Sequence, residues 1–268
     1  MNYLRIFALC IVFITTTGHS QGASSNIIWP NGAKAAICLT YDDAMVTQLE
    51  HALPSLDSVG LKGTFFLNPT RSRSEILGWM DAARNGHELG NHSVLHPCPA
   101  ALGWDARVTT ENYTVEQMLN EVRLMNDFLQ TLDSARVERT YAYPCSNLEV
   151  GGGSYVRALK ESKLVRYARK GGNSESIIFD FGKLNFYEVP SYEVQKATSG
   201  KALIRYVERT KELNGLGVFM FHGINGQWFN VLKKDHDELL AYLKKNIDTF
   251  WVTTFSEAMQ YVEEQRNQ

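Results

Sequence analysis

The stretch GHELGNHSVLHP, Gly86 to Pro97, concentrates three of the chain's seven histidines. His92 and His96 are four residues apart, so both rings can turn to one side of a single backbone turn and share a divalent cation. Pro97 disfavours helical backbone at His96, which places the pair on a loop or an isolated turn. Upstream, LTYDDA sets Asp42 beside Asp43 behind an apolar run. Adjacent carboxylates at a strand end point in different directions, so one can ligate a metal while the other faces a bound water. Such pairs also serve as helix N-caps and turns, and for this segment alone that reading stands. Joined to His92 and His96, one aspartate completes the two-imidazole, one-carboxylate set of a catalytic zinc site, with a position open for water and substrate. Cobalt or nickel would suit the same donors. His222 ends the apolar run GVFMFHG, which suits either a proton donor or a satisfied core histidine. His87 opens a strand and reads as a structural hydrogen-bonding residue. His51 and His236 fall in predicted helices, as surface or helix-packing residues.

Positioning these residues requires a scaffold of repeated β-α units, and the pattern from Lys34 onward supplies one. Strands are expected at Ala35–Tyr41, Gly63–Asn68, His87–His92, Thr140–Tyr143, Leu164–Ala168, Tyr187–Ser191, Val218–Phe221 and Phe250–Thr253. The clearest helix runs from Val115 to Thr131, with a capping box at Thr114 and Gln117 and apolar residues at helical spacing. Further helices are expected at Lys201–Leu213 and Asp235–Asn246. This predicts a single α/β domain, a distorted (β/α) barrel of about seven parallel strands. In such barrels chemistry collects at the C-terminal strand ends. Asp42–Asp43, His92 and His96, the Pro144 turn, Arg169 and His222 all fall there.

With 44% hydrophobic and 21% charged residues, the chain has the composition of a globular protein. A net charge of −2 argues against nucleic-acid or anionic-membrane partners, which need a basic surface. Residues 1–20 carry Arg5 ahead of an apolar run from Ile6 to Ile14, too short to span a bilayer, and read as a secretory signal peptide before a domain of residues 21–268. Cleavage removes Cys10 and leaves Cys38, Cys98 and Cys145 for an oxidising compartment. Cys38 lies in an apolar run and reads as a buried hydrophobe. Cys98 and Cys145 each follow a proline next to candidate site residues, which makes them the candidate disulfide.

Taken in order from about Ile37 to Tyr261, the motifs resemble those of the polysaccharide deacetylases of carbohydrate esterase family 4, the NodB homology fold. TYDDA is similar to the family's Thr-Phe-Asp-Asp-Gly, and the resemblance implies Asp42 as catalytic base and Asp43 as metal ligand; Ala44 in place of glycine is a mild change. HSVLHP matches His-Ser/Thr-x-x-His-Pro and implies His92 and His96 as ligands. FHG stands where the family places its general acid, His222. The third motif departs: Arg-x-Pro-Tyr-Gly is AYPCS here, so Ala142 replaces the arginine that orients the base. Arg169, at the next strand end, either supplies that cation from another direction or is a surface arginine. The backbone N–H of Cys145 matches the family's oxyanion donor. Trp228, Trp104 and Tyr113 are candidates for stacking on sugar, each equally suited to packing.

The resemblance implies a secreted, metal-dependent hydrolase releasing acetate from N-acetyl or O-acetyl groups of chitin oligomers, peptidoglycan or acetylated xylan. Two alternatives stand beside it. One is a metal-free amidohydrolase of the same superfamily; the other is a carbohydrate-binding pseudoenzyme, which the missing arginine supports.

Overall fold

The computed structural model describes residues 27–69, 72–134, 138–226 and 229–267. The expected signal peptide and Trp228 lie outside them. Eleven strands are formed by the described residues: β1 (Ala35–Asp42), β2 (Thr64–Leu67), β3 (Glu88–Asn91), β4 (Thr140–Ala142), β5 (Glu149–Val150), β6 (Gly153–Ser154), β7 (Tyr167–Arg169), β8 (Ile177–Ile178), β9 (Tyr192–Glu193), β10 (Leu216–Phe221) and β11 (Phe250–Thr253). The helices are α1 (Leu53–Val59), α2 (Arg73–Arg84), α3 (Val115–Asp133), α4 (Val156–Ser162), α5 (Gly200–Glu212), α6 (Lys233–Lys245) and α7 (Phe255–Arg266). None of the described helices is long and apolar enough to cross a membrane.

Nine strands form one curled sheet, ordered β7-β4-β3-β2-β1-β10-β8, with β11 also on β1 and β9 on β10. All pairings in it are parallel except β8 against β10. The result is a half-barrel with helices around it. β1 organises it: one edge pairs with β10, while β11 takes Ala35–Cys38 and β2 takes Thr40–Asp42 on the other. All eight of its residues are buried, as a parallel strand covered on both faces requires. Its alternate side chains divide between two cores. Ile37, Leu39 and Tyr41 pack with residues of α1, α2, α5 and α6, whereas Ala36 and Cys38 pack with Trp29 and α7.

The long helix α3 begins at the expected capping box, with Thr114 and Gln117 satisfying each other's backbone N–H groups. Two strands lie later than the sequence pattern suggests. Lys163 closes α4 in a left-handed conformation, so Leu164 and Val165 form the turn and β7 starts only at Tyr167. Tyr187–Ser191 makes a single bridge, Arg169 to Val189, because Pro190 lacks the N–H that a ladder needs; the strand forms beyond it, as β9. The α7 helix and the antiparallel β8 were not foreseen.

Candidate active site

The end of β1 turns sharply. Asp43 and Ala44 both adopt left-handed backbone, φ 77 and 49, which sends the carboxylates of Asp42 and Asp43 apart. The change from glycine at Ala44 is therefore less mild than its size suggests, since this conformation favours a residue without Cβ. Asp43 Oδ1 lies 3.4 Å from His92 Nε2 and 3.3 Å from His96 Nε2, and the two Nε2 atoms are 3.0 Å apart. The backbone carbonyl of Ala142 lies 2.9 Å from His92 Nδ1, and Cys98 Sγ lies 3.4 Å from His96 Nδ1. With those outer nitrogens protonated, both Nε2 lone pairs face the Asp43 carboxylate. Two imidazoles and one carboxylate at this separation form a donor set that zinc and its neighbours would fit. The ligand atoms of Asp43, His92 and His96 all lie within 4.8 Å of one another.

The electrostatics agree. Burial acts to raise the Asp43 carboxyl, but His92, with His96 and His222, holds it well below the usual carboxylate range. Burial opposes charge on His92, yet Asp42 and Asp43 together lift it above an ordinary histidine. Burial, reinforced by the charge of His92, lowers His96 to about 4, which keeps it a neutral donor. Cys98 and Cys145 also approach His96, but they are joined as a disulfide, Cα–Cα 5.6 Å, and present no thiolate.

Asp42 is held by a different cation from the one in the resembling motif. Arg169, at the end of β7, places Nη2 at 2.6 and 2.5 Å from the two Asp42 oxygens. Its Nη1 donates to Ser191 Oγ at 3.1 Å, and the guanidinium lies 5.0 Å above the Phe66 ring. Arg169 is 1% exposed, so it is no surface arginine. His222 follows β10 with Nε2 4.0 Å from Asp43 Oδ2, and its buried Nδ1 has no hydrogen-bond partner among the described residues.

Two buried residues missed by sequence reasoning fix this arrangement. Gln48, in a π-helical turn over Gln48–Ala52, donates through Nε2 to the Asp42 carbonyl at 2.5 Å and the His222 carbonyl at 3.0 Å, tying together the loops after β1 and β10. Glu121 of α3 accepts from the N–H groups of Val94 and Leu95, at 3.2 and 2.9 Å, which clamps the loop between His92 and His96. Tyr113 donates its hydroxyl to the other Glu121 oxygen. Tyr113 is consequently inside the protein, with no ring face free for sugar, and its assignment to substrate binding is corrected to a packing and hydrogen-bonding role. His87 has the structural role expected, accepting from the Gly63 N–H at 3.1 Å and lying 3.1 Å from Asp57 Oδ1. His236 is wholly buried under Tyr41, whose hydroxyl is 2.7 Å from Nε2.

These groups open into a cavity of about 400 Å³ whose walls include Trp104, Tyr143, Cys145, Glu193 and Phe229. Trp104 is 37% exposed, with its ring 5.7 Å from that of His96. Cys145 lies in left-handed backbone, φ 50, directly after Pro144. A half-enclosed cavity with a metal-donor set, a carboxylate locked by arginine and a histidine has the groups that hydrolysis uses for activating a water, steadying an oxyanion and protonating a leaving group.

Residues 30–159, just under half of the chain, match the family model described as polysaccharide deacetylase. The match includes Asp42, Asp43, His92 and His96 and ends before Arg169 and His222. No functionally curated protein matches the chain in sequence. Among solved structures, a protein of Mycobacterium smegmatis assigned to the polysaccharide deacetylases is similar with a TM-score of 0.62 at 16% identity, covering 89% of this chain and 93% of its own. The peptidoglycan deacetylase PdaC of Bacillus subtilis gives 0.55 at 18% identity, over 87% and 93%. A family 4 acetyl xylan esterase of Clostridium thermocellum, in complex with cobalt, gives 0.55 at 17% identity, over 84% and 90%. At these identities the likeness is one of fold, and it is the NodB-like half-barrel.

Proposed function

We propose that this protein is a metal-dependent carbohydrate deacetylase that hydrolyses N-acetyl or O-acetyl groups of a polysaccharide or oligosaccharide. The observation carrying this reading is the convergence of His92 Nε2, His96 Nε2 and the Asp43 carboxylate beside an Asp42 locked by Arg169. Asp43, His92 and His96 would hold one divalent ion, zinc first and cobalt or nickel after it, which when bound supplies Lewis acidity toward the acetyl carbonyl and a water. Asp42 takes the proton of the attacking water, and Arg169 fixes the direction of its carboxylate. The Cys145 N–H donates to the carbonyl oxygen as it gains charge. His222 protonates the departing sugar oxygen or nitrogen, and Trp104 offers a face to the sugar. The pseudoenzyme alternative drew its support from the missing arginine, and Arg169 supplies that contact. The metal-free alternative is disfavoured by the retention of all three donors. Export through residues 1–20 belongs to the same reading, supported by the apolar run and by the disulfide.

Acetate release from acetylated xylan, chitin oligosaccharides and peptidoglycan, measured with chelator, with added zinc and for Asp42→Ala, tests this. Release that chelator suppresses and Asp42→Ala abolishes is expected. One equivalent of bound metal without release from any of the three would rule the reading out.

A further inference from the structure

One wall of the cavity has no role in the chemistry above. Glu193 ends β9, and β9 pairs in parallel with β10 so that Glu193 lies beside Met220. His222 is two residues beyond Met220, and because strand side chains repeat with a period of two, Glu193 shares its face of the sheet. His222 is the group that protonates the leaving sugar atom, so Glu193 belongs to the sugar side of the cavity rather than the acetyl side. Its residue is partly buried and lines the cavity. The carboxylate has no hydrogen bond or ion pair among the described residues, although nearly every other acid around the site is engaged: Asp42 by Arg169, Asp43 by the histidines and Glu121 by backbone N–H groups. No lysine or arginine lines this cavity among the described residues, since Arg169 is buried behind Asp42.

We infer that Glu193 is a specificity-determining residue that accepts hydrogen bonds from sugar hydroxyls and restricts the site to acetylated sugars without negative charge, excluding uronates and lactyl-bearing sugars. The inference rests on the deacetylase reading. A partly desolvated carboxylate gains from a hydroxyl donor, whereas a second carboxylate placed against it meets repulsion that no lysine or arginine of the described cavity wall offsets. Selectivity of this kind comes from the repulsive element as much as the attractive one.

The test uses a matched pair, chitotetraose and its C6-oxidised uronate counterpart, with the zinc-loaded full chain and Glu193→Gln. Wild type should favour the neutral substrate by about tenfold or more in kcat/KM, and 0.5 M salt should narrow the ratio. Glu193→Gln should bring the ratio to within about threefold, mainly by raising the rate on the uronate. The same two ligands are titrated calorimetrically against zinc-loaded Asp42→Ala and Asp42→Ala/Glu193→Gln. A wild-type ratio near one, or a ratio that Glu193→Gln leaves unchanged, overturns the inference. Absence of acetate release from every substrate defeats the deacetylase reading, and the calorimetric ratio then decides on Glu193 by the same criterion.

Discussion

Replacing Arg169 by methionine removes the one arginine or lysine that hydrogen-bonds Asp42 among the described residues while keeping a long apolar stem over Phe66. Both partners are essentially out of solvent, at 1% and 2% exposure. The substitution deletes a contact to each Asp42 oxygen and one to Ser191, and leaves a buried carboxylate with no ion-pair partner closer than His92 Nε2 at 3.8 Å. Stranding one member of a buried pair costs about 3–5 kcal/mol, which for a chain of this size lowers Tm by about 6–20 °C. Arg169→Lys keeps the charge but not the planar fork, and should lose an intermediate amount. The decisive comparison is Asp42→Asn in the Arg169→Met background. If the loss comes from an uncompensated charge, neutralising that charge returns most of it, and urea unfolding in the presence of chelator measures the coupling as a double-mutant cycle. A loss below about 1 kcal/mol for Arg169→Met, or no coupling to Asp42→Asn, would refute the reasoning about the buried pair. Acetate release should fall by about 10²–10⁴ in Arg169→Met, because a misdirected base loses general-base catalysis.

Three further outcomes are expected. Glu121→Leu removes the shared acceptor of the Val94 and Leu95 N–H groups, so zinc affinity measured against a chromophoric chelator should fall about 10–100-fold; unchanged affinity would reduce Glu121 to a folding role. Ala44→Gly relieves a left-handed residue and should stabilise the chain by about 1 kcal/mol in chemical denaturation, an idea that a destabilised variant contradicts. Burial, which outweighs Asp237, holds His236 below its unfolded value of 6.5, so the unfolded chain binds more protons between the two values. Stability is then complete above about pH 6.5 and declines as pH falls through that window; urea unfolding from pH 8 to 5 should show a shallower decline in His236→Gln, and an identical slope would reject the assignment.

The side chains of the candidate site were legible because each ends or follows an apolar strand run, and a parallel strand delivers its C-terminal neighbours to one rim. Asp42, Asp43, His92, His96 and His222 therefore stood out as polar interruptions of buried segments, and Arg169 did so at the end of VRYA. The residues holding them in place carried no such mark. Glu121 lies on α3 among other acids, and only the approach of the Val94–Leu95 loop distinguishes it from a solvated helix position. Gln48 sits in a helical turn whose π geometry leaves no sequence pattern. For Tyr113, sugar stacking and packing stood level because the loop's return against α3 is a tertiary fact. The α7 helix was detectable, since Thr254 and Glu257 form a capping box, but Phe250–Thr253 drew attention as the last strand. The alternation before Pro190 drew the expected strand to Tyr187–Ser191, whereas β9 begins five residues later, at Tyr192, and with it went any notice of Glu193.

The disulfide has a consequence for how the chain matures. Cys98 and Cys145, 47 residues apart, both precede β10 and β11 in the chain, while Cys38 is sealed only when those C-terminal strands complete both edges of β1. During synthesis the thiols of Cys38, Cys98 and Cys145 therefore coexist before the one that stays reduced, Cys38, is covered. A Cys38–Cys98 bridge would close a loop of similar length, and closure entropy changes by only about 0.6 kcal/mol per doubling of length, so chain statistics scarcely favour the native pair. A mispaired Cys38 would hold the central strand out of the sheet. Correct oxidation thus depends on the β3 and β4 loops meeting early, or on an isomerase returning strayed thiols before the last strand docks and Cys38 becomes unreachable.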